Sequence, residues 1–313
     1  MSWLPVVCSL CSGLCIAALL GVSASVSLRE RRRRGFRCIL QRRYLGIVMA
    51  ALADGAPDVP QFPLLRRAGS RLVLAETLAG IVSMTYGLDT GLLRRIVVRY
   101  DLDGWLLRRA RFARGYRRAR YLALLGTLPV GQAVPRRAAR YLRSRNRYVR
   151  FFALLARLTA DPAAALRCMA DYAAPLSDTE VAEIVAVLRR GMLPVACEPL
   201  VASPSFNLRR VGLSIVRQFG VEQAEPLLLR MLACEGPSAL GAEALYTLCA
   251  LRRPLARREV SGCLERLTPL RRRALMRCMA RSSYAPAALR PLFDERECVY
   301  YDAIVRSYKR CLA

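Results

Sequence analysis

The chain has 313 residues, 51 basic against 23 acidic, a net charge of +28 and no histidine. That length suits one large domain, two ordinary ones or a repeat array with a sizeable core, and the missing histidine excludes imidazole general bases, His-bearing triads and His metal ligands. Lys309 is the only lysine, so a Schiff-base lysine or a Walker phosphate loop is not expected, and neither GxxxxGK nor GxSxG occurs. The charge is uneven: 28 basic to 7 acidic residues over 29–150, 8 to 10 over 151–250, and 15 to 6 over 251–313.

Residues 1–28 contain no charged side chain. As a helix from Trp3 they reach ~39 Å at ~1.5 Å per residue, enough for a hydrocarbon core of ~30 Å. Next comes RERRRRGFR, holding Arg29, Arg31, Arg32, Arg33, Arg34 and Arg37. By the positive-inside rule these elements predict a single-pass transmembrane helix at a bacterial inner membrane with the rest of the chain cytoplasmic. The six arginines would then face the anionic lipid surface, at about 1 kcal/mol each. A cleaved signal peptide would want its positive charge ahead of the apolar run, and here it follows. Cys8 and Cys11 form a CxxC and share a helical face with Cys15, which inside an apolar span reads as small residues packing against a neighbouring helix.

The basic collar, a helical pattern over 36–53 and a Pro- and Gly-rich loop over 54–63 make up a segment 29–69. From Ser70 onward the signals are helical, ten to fifteen residues long, with no sustained period-two pattern. A helical cap is expected over 70–114 and a repeat array over 115–313. Within the cap the phrase Tyr-x-Leu-Asp-x-x-Leu-Leu-Arg-Arg occurs twice, at 86–95 and 100–109. Asp89 and Asp103 read as N-caps, and Leu92, Leu93, Leu106 and Leu107 as the start of a buried stripe. The competing reading, Asp101 and Asp103 as paired catalytic carboxylates beside a Trp105 platform, is the less favoured one.

The sharpest basic patch is RRARFARGYRRARYL, in which Arg108, Arg109, Arg111, Arg114, Arg117, Arg118 and Arg120 accompany Tyr116. It is either a solvated helix face or a dock for an acidic protein or for phosphates.

Further along, a small residue followed by an apolar one recurs every 29 to 32 residues: Ala123, Ala153, Ala182, Gly212, Ala244, Ala274 and Ala303. The third departs from the pattern, with Glu183 next. Between these anchors lie second helices, among them QAVPRRAARYL, DPAAALRCMADY, EQAEPLLLRML and YAPAALRPLF, often with Pro near the first turn. A helix pair about every thirty residues predicts an all-α fold, an α-solenoid in which each pair buries its apolar side against the next. Cys168, Cys197, Cys234, Cys249, Cys263 and Cys278 stand alone in apolar stretches and read as buried thiols.

The segment NLRRVGLSIVRQFGVEQAEPLLLRML, residues 207–232, resembles a bacterial HEAT repeat, with its Leu-Arg opening of the first helix and Ala-x-Pro-x-Leu-like second helix; RYVRFFALLARLTADPAAALRCM is similar but lacks the second-helix proline. The resemblance implies a scaffold whose surface grips a protein partner; the expected membrane location, not any residue, suggests a membrane-embedded envelope enzyme or similar machinery as that partner, and the residues themselves lead to no expected cofactor, metal or catalytic site. HEAT-like DNA glycosylases make nucleic acid the rival partner, against which the net-negative middle of the chain weighs. A HEAT-type enzyme stands third, since no catalytic constellation emerges from the residues.

Overall fold

The computed structural model describes residues 31, 34–55, 58–85, 90–131, 133–172, 174–190, 196–235 and 239–312. Among them every regular element is a helix and none is a strand. The protein is all-α, as the periodicity predicts. The helices divide into two compact units, Met1–Val134 and Pro135–Ala313.

The first unit contains a helix over residues 34–53 (α1), then α2 (Ala68–Met84), α3 (Gly91–Arg99), α4 (Leu102–Phe112) and α5 (Gly115–Thr127). α2 is buried on most sides, through Val73, Leu74, Ala75, Leu78 and Ile81, and Thr77 satisfies its hydroxyl on the Val73 carbonyl at 2.8 Å. Tyr44, Leu93, Ile96, Leu106, Leu122 and Leu125 complete the core. The loop expected over 54–63 is pinned. Phe62 lies edge-on between Tyr44 (5.3 Å) and Tyr100 (5.6 Å), whose hydroxyls donate to the Pro63 and Pro60 carbonyls at 2.6 and 2.9 Å. Glu76 of α2 accepts from Arg37 of α1 at 2.7 Å and from Arg120 of α5, so one carboxylate holds three helices together.

The second unit takes in most of α6 (Ala133–Ala139), followed by α7 (Arg147–Ala160), α8 (Pro162–Ala170), α9 (Asp178–Arg190), α10 (Cys197–Val201), α11 (Phe206–Phe219), α12 (Glu225–Glu235), α13 (Ala239–Ala250), α14 (Arg258–Glu265), α15 (Pro269–Arg281), α16 (Pro286–Leu289) and α17 (Glu295–Leu312). Helices α7, α9, α11, α13, α15 and α17 pack each on the next, while α8, α10, α12, α14 and α16 lean on them as a second layer. This pairing is consistent with an α-solenoid. Boundaries follow from local chemistry. Asn146 caps α7 by accepting from the Val149 amide (3.2 Å), Asp161 caps α8 from Ala164 (3.0 Å) ahead of Pro162, and Gly220 ends α11 at φ +66°.

Polar bonds then join one pair to the next. Arg147–Glu180, Leu176–Asn207, Arg210–Glu243, Arg257–Glu225 and Tyr284–Arg253 all connect residues 31 to 33 apart. That separation is one helix pair, so these bonds fix how neighbouring pairs stack. Arg210 reaches furthest: from α11 it bonds Asp178 of α9 and Glu243 of α13.

Several expectations need correction. Ala153, Gly212 and Ala244 are buried as anchors should be, but Ala182 and Ala303 are exposed. α9 instead buries Val181, Ile184, Val185 and Leu188, because Glu183 cannot enter the core next to Ala182. The compact units part at Val134, so α5 packs with α2 and α4 in the first unit. The N-cap of α4 is Asp101 at φ +45°, not Asp103, and its carboxylate bonds Arg108 at 2.6 Å instead of capping an amide. Asp89 lies outside the described residues. Finally, no helix among the described residues is long and apolar enough to cross a membrane. Arg37, Arg42 and Arg43 interrupt α1, Arg71 and Glu76 interrupt α2, and α17 is charged from Glu295 to Arg310. The run 1–28 that prompted a single-pass anchor lies outside the described residues. The transmembrane part of the expected fold is therefore withdrawn, and with it the inner-membrane location and the cytoplasmic orientation deduced from it.

Candidate functional site

The basic patch predicted over 108–120 falls at the corner between α4 and α5, and the fold sorts its seven arginines into two groups. Arg108 pairs with Asp101. Arg118 donates from Nε to the carbonyls of Ala110 (3.1 Å) and Ala113 (2.9 Å), so it closes the C-terminus of α4, where four carbonyls lack intrahelical partners. Arg120 is bonded to the half-buried Glu76 of α2. These three hold the corner together.

Arg109, Arg111, Arg114 and Arg117 are exposed, and among the described residues no carboxylate pairs with any of them. Arg109 lies over the ring of Trp105 at 5.6 Å and Arg111 over Phe112 at 5.9 Å. Trp105 itself is buried and meets Tyr121 edge-on at 6.3 Å. It is a core residue, not an open stacking platform. Phe112 and Tyr116, by contrast, are 81% and 79% exposed between the free arginines. α5 starts with no side-chain cap and no acid in its first turn, so its first amides add to the positive potential of the corner. The arrangement can attract an acidic chain by charge and grip it through two aromatic faces.

Of the collar arginines, Arg29, Arg32 and Arg33 lie outside the described residues. Arg31 and Arg34 are exposed, and Arg37 is tied to Glu76.

Several carboxylates of the second unit are spent internally: Asp178, Glu180, Glu222, Glu225, Glu243 and Glu297 all pair with arginines of the same unit. Much of the acidic charge that makes the middle of the sequence net negative is thus consumed in stacking. Burial would raise the Glu180 carboxyl, but the guanidinium of Arg147 and the Ser177 amide and hydroxyl outweigh it, leaving the group below its ordinary value.

The cysteines divide differently from the expectation. Cys197, Cys249 and Cys263 are buried, but Cys234 is exposed, and Cys249 and Cys278 are hydrogen-bonded to each other across α13 and α15. The shared bond and burial push the Cys249 thiol up. The same bond, with Arg217 and Arg281 nearby, pulls Cys278 down to about 7. Among the described residues no three Cys, Asp or Glu side chains gather as a metal-binding group.

No family model, curated protein or solved structure matches this chain.

Proposed function

We propose that the protein is a non-enzymatic helical-repeat scaffold, HEAT-like in its second unit, which captures an acidic protein segment at the α4–α5 corner. The observation that carries this reading is the sorting of the arginines: Arg108, Arg118 and Arg120 are consumed by the fold, whereas Arg109, Arg111, Arg114 and Arg117 stay exposed on the same α4–α5 segment as two exposed aromatic rings, Phe112 and Tyr116. Large aromatic side chains left in water among unpaired cations fit an interface better than a solvated face, because aromatic and arginine residues dominate binding energy at interfaces. The charges steer association and make it salt-dependent, while Phe112 and Tyr116 anchor the bound segment. Within the second unit, successive helix pairs are joined by repeating Arg–Glu bonds, as expected of a scaffold built from stacked repeats.

The test uses the full chain and a variant in which Arg109, Arg111, Arg114 and Arg117 are all glutamine. Crosslinking followed by identification of captured proteins should show acidic partners held by the wild type and lost by the variant, with unchanged helical circular dichroism. Unchanged capture would reduce the corner to a solvated face. Tight duplex binding in ~0.15 M salt, with a steep salt slope, would move the function to nucleic acid.

A further inference from the structure

A cavity of about 770 Å³ opens in the second unit beside α7 and the end of α8. It is walled by four arginines, Arg140, Arg143, Arg150 and Arg157, against the single carboxylate of Asp171. Arg150 and Arg157 are seven residues apart on α7 and so share a face of that helix. Arg150 is held in place: Nη1 donates to the Ser144 carbonyl at 3.0 Å, and its guanidinium lies over the ring of Tyr172 at 5.4 Å. Arg140 is held likewise by Tyr141, whose hydroxyl it bonds at 2.9 Å.

Three donors at this cavity, Arg150 Nε, Arg157 Nε and the Tyr172 hydroxyl, are buried and have no hydrogen-bond partner. Buried donors without acceptors are costly and rare, and each such group in a folded protein calls for a reason. Here all three belong to side chains that line the same concavity, and all ask for the same thing, an oxygen acceptor. Two guanidinium forks and a phenol match the oxygens of a phosphate, which arginine recognises bidentately. The cavity is much larger than one phosphate, and its volume suits an organic molecule of moderate size. Leu142 and the Tyr172 ring provide an apolar surface. Asp171 would repel a bare polyanion but accepts from a hydroxyl or amine, which places a hydrogen-bond donor at another part of the ligand.

We propose that this cavity is a binding site for a phosphorylated small molecule of nucleotide size, its phosphate on Arg150, Arg157 and Tyr172 and its donor groups toward Asp171. The proposal uses residues separate from the α4–α5 corner, so its outcome is independent of the partner-capture reading.

Calorimetric titration of the full chain with AMP, ADP and inorganic phosphate tests it, alongside thermal unfolding at ~1 mM of each. A nucleotide should bind in the micromolar range and raise the Tm, and inorganic phosphate should bind at least about tenfold more weakly. Tyr172→Phe keeps the ring and its stacking with Arg150, and should weaken nucleotide binding about three- to tenfold. Arg157→Met removes an unpartnered buried donor, so it should abolish nucleotide binding while raising the Tm of the free protein. A purely structural arginine would lower it. The proposal fails if neither AMP nor ADP binds or shifts the Tm, if phosphate alone binds as tightly as the nucleotides, or if Tyr172→Phe and Arg157→Met bind them as the wild type does.

Discussion

Arg147 and Glu180 meet fork to fork, Nε to Oε1 at 3.0 Å and Nη2 to Oε2 at 2.6 Å, and so clamp α7 to α9. Glu180 does a second job: its carboxylate accepts from the Ser177 amide at 2.7 Å while its own amide donates to the Ser177 hydroxyl at 3.3 Å. This is a reciprocal capping box at the start of α9. Glu180→Gln keeps the size but loses the charge, and should cost about 2 kcal/mol in urea unfolding at neutral pH. The native carboxyl sits below its ordinary 4.5, so this stabilisation is fully present above that value and disappears as pH falls through the lowered native one. The gap between wild type and variant should therefore close in acid, and a gap that persisted there would show that charge is not what Glu180 supplies.

Asn207 is buried in the first turn of α11 and satisfies three backbone groups of the α8–α9 loop. Its Oδ1 accepts from the Leu176 amide at 2.9 Å, and its Nδ2 donates to the carbonyls of Tyr172 (3.3 Å) and Ala174 (3.1 Å). Asn207→Ala leaves those groups without the side chain, at about 2–4 kcal/mol. Asn207→Asp retains the acceptor but turns a carboxylate toward two carbonyls, so it should be at least as damaging at neutral pH. Chemical unfolding of the two variants against wild type checks the order, and a harmless Asn207→Asp would mean the loop is held by other bonds.

The helical content was readable because apolar stripes recur at helical spacing and because prolines such as Pro162 sit at the first turn of second helices; the caps Asn146 and Asp161 act within one turn but emerged only from the structure. The stacking was only partly readable. Anchors chosen for small size succeed at Ala153, Gly212 and Ala244 but fail at Ala182, since size says nothing of the charged Glu183 beside it. The arginines could not be sorted in advance: Arg117 and Arg118 are neighbours of one type, and only the path of the chain puts α4 carbonyls within reach of one of them. The cavity left a fainter trace, the seven-residue spacing of Arg150 and Arg157, which marks a shared face but not what it faces.

Gly212 and Gly80 should respond oppositely to alanine. A Cβ on Gly212 would come within 2.8 Å of Val201 Cγ2 and 2.9 Å of the Val201 amide nitrogen. α10 thus approaches α11 so closely that backbone would have to shift, and Gly212→Ala should destabilise by about 1–3 kcal/mol. Gly80, inside α2, has nothing within 4 Å of its Cβ position. Gly80→Ala should stabilise by about 0.5–1 kcal/mol through helix propensity. Thermal unfolding of both variants measures the contrast, and a neutral Gly212→Ala would mean that the α10–α11 contact is looser than described.

Cys249 and Cys278 should react very differently with an alkylating reagent. The thiolate is the nucleophile, and in this pair the shared hydrogen bond stabilises it on Cys278 and not on Cys249. Cys278, pulled down to about 7 by Cys249 and then by Arg217 and Arg281, changes from mostly thiol to mostly thiolate as pH rises through that value. Its iodoacetamide rate, followed peptide by peptide by mass spectrometry, should climb through neutrality and level off at pH ~8, while Cys249 stays unmodified in the folded protein. Removing the donor with Cys249→Ala should move the Cys278 inflection up toward the ordinary 9.0, and Cys249→Ser, which can still donate, should move it less. An inflection unchanged in Cys249→Ala would assign the depression to the arginines alone, and Arg217→Gln with Arg281→Gln should then raise it.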